Sequence, residues 1–237
     1  MSKDFNFRLV AKMIGSLLFI ESLLLCIMAI IPIIYQENDA RYFLISGGIT
    51  CGFAALLYVL GLTAKPVLGK REGSVIVTFT WILFSLFGML PFWLSGSIPS
   101  VTDAFFETMS GFTTTGASIL NNIEELSHGI LFWRSMTHWI GGLGIIVISL
   151  ALLPLFGYNG MQLFAAESSG PTKDKIHPKI NETAKRLFAI YVILNVAETL
   201  LLKLGGMSWF DAVCHSFATT ATGGFSTKQA SIGYWNS

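Results

Sequence analysis

Two short segments of this 237-residue chain hold the residue types that can replace the water around a cation. They are Thr113, Thr114, Thr115, Gly116 and Ala117, and Thr220, Ala221, Thr222, Gly223 and Gly224. Threonine hydroxyls and successive backbone carbonyls can stand in for an ion's hydration shell. Glycine, without Cβ, takes backbone angles closed to other residues and can turn its carbonyl into a narrow path. Both segments close a longer repeat, DAFFETMSGFTTTGAS (103–118) and DAVCHSFATTATGGFS (211–226), offset by 108 residues, in which Gly116 aligns with Gly224.

Other chemistry has little footing. The chain carries no GxSxG, HExxH or Walker A pattern, which argues against an enzyme. Gly141, Gly142 and Gly144 lack the third glycine of a dinucleotide fingerprint and follow no strand, so they read as close helix packing. Cys26, Cys51 and Cys214 are scattered, which predicts free thiols and no transition-metal site. A net charge of +1 argues against nucleic acid, and no cofactor is expected.

The elements that must position these segments follow from composition. Only 12% of residues are charged, about half the ~25% of soluble domains, while 53% are hydrophobic. With a mean hydropathy of +0.64, the chain reads as an all-α, multi-pass membrane protein. Stretches near 13–35, 42–64, 74–96, 134–156 and 183–204 reach the ~20 apolar residues a crossing helix needs. The first resembles a signal peptide, but its apolar run is too long and no cleavage site follows, so it reads as a retained helix. Basic residues resist translocation. Lys3, Arg8 and Lys12, then Lys65, Lys70 and Arg71, therefore place the N-terminus and the second loop in the cytoplasm, with Glu37, Asp39 and Arg41 outside. The basic segment 167–186, broken by Pro171 and Pro178, reads as a cytoplasmic linker.

Residues 97–133 then lie outside, yet Ala104, Phe105, Phe106, Met109 and Phe112 make them too apolar for a loop and too short for a crossing. A re-entrant segment meets both constraints. Asp103 and Asp211 stand where its short helix and that of the second copy would begin, and are the expected N-caps. Two crossings separate the copies, so both loops enter from one side and the repeats are parallel. The inward C-terminal end of each short helix would favour a cation.

The strings FFETMSGFTTTGAS, WRSMTHWIGGLGIIV (133–147), LLPLFGYNGMQLFAAESSGP (152–171) and FATTATGGFST (217–227) resemble the TrkH family, the membrane subunits of bacterial Trk potassium-uptake systems, within a superfamily that includes KtrB and plant HKT transporters. The resemblance implies helix, pore-loop, helix repeats around one ion path, as in a potassium-channel pore. It makes the two threonine–glycine segments selectivity-filter strands for potassium, with glycine at both signature positions favouring potassium over sodium. It also implies an extra N-terminal helix pair (1–69), a first repeat (70–160), a linker (161–182) and an incomplete second repeat (183–237). Too little chain follows Phe225 for a returning helix, so the sequence reads as the N-terminal half of a longer protein. Implied further are a bacterial inner-membrane location, a homodimer, membrane lipid as surroundings, and a cytoplasmic partner ring of nucleotide-binding RCK domains (TrkA). A cation-coupled symporter and a non-conducting scaffold whose loops only pack are the alternatives.

Single residues carry further expectations. Glu107 either adds to cation occupancy or is hydrogen-bonded to backbone behind the filter, the second being favoured. Glu21 and Glu198, inside apolar spans, serve function or helix packing equally well. Arg134 reads as snorkelling to the outer surface. His138, four residues on along the same helical face, reads as a packed, hydrogen-bonded side chain. Gly48 and Gly52 give a GxxxG packing signal.

Overall fold

The computed structural model describes residues 5–64, 69–144 and 180–235. Helices follow in the order α1 (Phe7–Met28), α2 (Ile30–Ile34), α3 (Ala40–Leu60), α4 (Lys70–Gly88), α5 (Leu90–Leu94), α6 (Val101–Phe112), α7 (His128–Gly142), α8 (Ile180–Leu204) and α9 (Trp209–Thr220), with no β-strand among the described residues.

Two of the expected spans are single apolar elements with a break. Pro32 has no amide hydrogen and its ring crowds the carbonyl of Met28, so the helix interrupts at Ala29 between α1 and α2. Pro91 does the same to Phe87, and the interruption falls at Met89 between α4 and α5. Phe7–Ile34, Ala40–Leu60, Arg71–Leu94 and Arg186–Leu204 are long and apolar enough to cross a membrane. The expected span at 134–156 is described only to residue 144. The expected linker lies outside the described residues up to residue 179, and α8 already begins at Ile180 within it.

The N-terminal pair packs α1 on α3, but not through the expected glycines. A Cβ at Gly48 or Gly52 would meet nothing within 4 Å. The close approach is made by Gly15, where a Cβ would come within 2.8 Å of the Ala54 carbonyl oxygen, and by Gly47, where it would touch Cys26 Sγ. The Ser22 hydroxyl donates to the Gly47 carbonyl at 2.9 Å across this contact. GxxxG spacing alone does not say which face of a helix meets its neighbour. The core continues through Leu18, Leu25, Phe43, Ile76, Phe92, Phe112 and Trp133, all buried, and Trp133 Nε1 donates to the Gly88 carbonyl at 2.8 Å beside the Met89 break. Glu21 is buried next to Gly88, and neither of its carboxyl oxygens has a partner among the described residues. The three cysteines are unbridged.

A second tie joins the N-terminal pair to the rest at the opposite end from Phe7. The Glu37 carboxylate accepts the first free amides of α7, from His128 at 2.9 Å and Gly129 at 3.2 Å, the position where a helix most favours negative charge. Tyr35 stacks on the His128 ring at 3.9 Å, and Phe210, at the start of α9, meets the edge of both.

Candidate cation pathway

The short helices α6 and α9 are each 12 residues, about 18 Å at 1.5 Å per residue, too short to cross the ~30 Å of hydrocarbon. Their N-caps are Ser100 and Ser208, not Asp103 and Asp211. Each serine is extended and its hydroxyl accepts the amide of the third helical residue, Asp103 at 3.3 Å and Asp211 at 3.0 Å. The aspartates sit one turn later, where a carboxylate still complements the helix dipole. Asp211 also accepts the hydroxyls of Ser208 and Thr227, both at 2.6 Å, tying the start of α9 to the chain beyond its C-terminal threonine–glycine segment. The S-x-x-D signature at both sites, again 108 residues apart, was the available sequence signal.

Past each short helix the backbone repeats in detail. Thr114 donates its amide to the Gly111 carbonyl and Thr115 to that of Ser110; at the same offset, Thr222 donates to Thr219 and Gly223 to Ala218, all at 2.8–3.0 Å. Thr114 (φ +52°) and Gly116 (φ +74°) are left-handed, and so are Thr222 (φ +58°) and Gly224 (φ +92°). Alternating left-handed residues with ordinary ones turns successive peptide planes the same way, so like groups can line one side of the strand. The register corrects one boundary. Thr220 is the last residue of α9, equivalent to Phe112, and its hydroxyl donates to Glu198 at 3.0 Å. The second strand therefore runs over 221–225, with Phe225 in the place of Ala117. The two strands lie side by side, since a Cβ at Gly116 would overlap the Gly223 carbonyl oxygen.

Each strand ends in the same clamp. Ser118 accepts the amide of Leu120 at 3.2 Å and donates to Glu107 on α6 at 2.9 Å. Ser226 accepts the amide of Lys228 at 2.9 Å and pairs with His215 on α9 at 2.9 Å. With its Nδ1 donating to the Asp211 carbonyl, His215 offers Nε2 as an acceptor for the Ser226 hydroxyl. Glu107 thus has the favoured role, accepting the Ile119 amide at 3.0 Å, and an ion pair besides.

Behind both strands stands one face of α7. Arg134 does not snorkel; it is 2% exposed and ion-pairs Glu107 at 2.7 Å. His138 is buried, stacked on Phe225 at 4.0 Å and against Gly223, with Nδ1 3.4 Å from the Phe225 amide. Gly141 and Gly142 complete the face. A Cβ at Gly141 would overlap the Phe112 carbonyl, and one at Gly142 would come within 2.6 Å of Ala221 Cβ. The glycine run therefore admits the ends of both short helices.

Parallel units of apolar helix, short uncrossing helix and left-handed strand, in a chain whose long helices suit a bilayer, define a helical membrane protein built from pore-loop repeats. Residues 39–237 match the family model described as TrkH, cation transport protein. The chain belongs to the TrkH family. Over 98% of its length it is 45% identical to the Trk system potassium uptake protein TrkH of Escherichia coli (strain K12), covering 48% of that protein. It is 36% identical over 97% of its length to the TrkG potassium uptake protein of the same strain, again covering 48%. The crystal structure of the potassium transporter TrkH from Vibrio parahaemolyticus superposes with a TM-score of 0.81 at 36% identity, over 98% of this chain and 47% of that one. The chain spans about half the length of the relatives it matches.

Proposed function

We propose that this chain forms two adjacent walls of a potassium-uptake pathway, in which dehydrated potassium passes along the backbone oxygens of 113–117 and 221–225. The observation that carries this reading is the pair of left-handed positions repeated at 114/116 and 222/224 in strands that lie side by side. α6 and α9 end at the start of these strands, so the partial negative charge of each C-terminus stabilises a cation there. Thr113, Thr115, Ala117, Thr222 and Gly224 are exposed in the chain alone, as a lining would be. The names of the relatives, potassium uptake proteins, support the choice of ion.

In this reading residues 1–69 are a helix pair that buttresses the first repeat (70–160), 161–182 is a cytoplasmic linker, and 183–237 belongs to the second repeat. The basic residues near the N-terminus and after α3 support a cytoplasmic N-terminus in a bacterial inner membrane. A homodimer on a cytoplasmic RCK ring is the assembly proposed by family resemblance. The test is growth and rubidium or potassium uptake in a host lacking its own potassium-uptake systems. Potassium-dependent growth restored by the protein, and lost on Gly116→Ser, is expected; growth equal with and without the glycine would refute the filter.

A further inference from the structure

We infer that Arg134 is the positioning residue that sets the spacing of the two filter strands, and through it the preference for potassium over sodium. The inference rests on the potassium reading above. Arg134 sends each of its nitrogens to a different segment: Nε to Glu107 on α6 at 2.7 Å, one terminal nitrogen to the Ser118 hydroxyl at 3.1 Å, and the other to the Ser226 carbonyl at 2.9 Å. Ser118 and Ser226 are the matched residues at the ends of the two strands, 108 positions apart. The guanidinium carbon also lies 3.7 Å from the centre of the Phe225 ring, so the plane of the fork is fixed as well as its tips.

The chemistry needs arginine. A planar fork with five donors in fixed directions holds three acceptors at set separations; lysine offers a point charge on a flexible stem. A buried ion pair is weak evidence for stability, because desolvation offsets the attraction, and its best-attested use is to fix register between elements. Here the pair is 2% and 0% exposed, and the elements are two strands that meet at Gly116 and Gly223. The number, spacing and field strength of the oxygens that replace the hydration shell together set which ion they match. Glu107 contributes by holding the fork, since it also binds Ser118 and the Ile119 amide.

The test measures potassium and sodium uptake by the intact protein, Arg134→Lys, Ser118→Ala and Ser118→Thr. Arg134→Lys keeps a positive charge beside Glu107 and loses the bridge, so the potassium-to-sodium ratio should fall about tenfold, the scale of one charge-assisted hydrogen bond. Ser118→Ala, at an exposed position, should lower the ratio several-fold, and Ser118→Thr should hold it. Wild-type ratios in Arg134→Lys and Ser118→Ala, even with uptake reduced, would overturn the inference and leave Arg134 a structural residue only. Where Arg134→Lys fails to reach the membrane, Ser118→Ala decides alone: a lowered ratio supports the bridge and an unchanged one overturns it. No potassium uptake by the unsubstituted protein removes the transport reading and this inference together, which separates the two failures.

Discussion

Replacing Gly116 and Gly224 by alanine should give unequal damage, although the two glycines align and both are left-handed. Any L-residue in left-handed backbone costs roughly 1–2 kcal/mol, and both positions bear that term. Torsion alone would make Gly224, at φ +92°, at least as sensitive as Gly116, at φ +74°. The surroundings reverse the order. A Cβ at Gly224 meets nothing within 4 Å, whereas one at Gly116 overlaps the Gly223 carbonyl oxygen, which cannot swing away as a side chain could. Relieving that overlap means moving one strand, a packing cost of about 1–3 kcal/mol. At tenfold per ~1.4 kcal/mol, the native strand geometry should be about 5- to 150-fold less populated in Gly116→Ala than in Gly224→Ala. Initial potassium uptake at a concentration well below saturation, normalised to protein in the membrane, reports that population. Equal losses, or a larger loss for Gly224→Ala, would refute the claim that the two strands abut at Gly116.

Three further outcomes follow from packing and charge. Gly141→Ala and Gly142→Ala should each lower stability by about 1–3 kcal/mol, because the new methyl meets Phe112 or Ala221. Gly48→Ala and Gly52→Ala, which open on free space, should not reduce it, and thermal unfolding in detergent compares the four. Glu37→Gln removes the charge at the start of α7 and should cost about 1 kcal/mol in the same assay. The Gln229 amide donates to the exposed Glu124 carboxylate at 2.8 Å and holds its pKa below the ordinary value. A depressed carboxylate lends its support above its unfolded pKa and loses it as pH falls through the lowered folded one. Exchange of the Gln229 amide, corrected for its intrinsic pH dependence, should therefore quicken on acidification, and Glu124→Gln should abolish that added dependence.

The membrane class, the repeat and the special backbone at Gly116 and Gly224 were legible because they rest on composition, length and a repeated string. The breaks at Ala29 and Met89 were equally available from Pro32 and Pro91. The caps of the short helices stand three residues before the expected aspartates, since Asp and Ser are both good caps and only the backbone shows which one is still extended; the S-x-x-D pattern at 100 and 208 carries that signal. The segment equivalent to 113–117 is 221–225, one residue later than the sequence suggests, because two threonines precede Ala221 and nothing local says which ends the helix. Arg134 departs from its expected place for a different reason. A basic residue at the edge of an apolar run looks like an anchor, and its acceptors, Glu107, Ser118 and Ser226, lie 27, 16 and 92 residues away. His138 and the glycine run were read as packing, which they are, but the sequence could not show that both strands share one helix as their backing.

That shared backing has a mechanical consequence. With Arg134, His138, Gly141 and Gly142 on a single rigid rod, any tilt or rotation of α7 displaces both strands in the same instant and by related amounts. In the proposed pathway the two walls then shift as one part, and force applied along α7 is passed to both of them together.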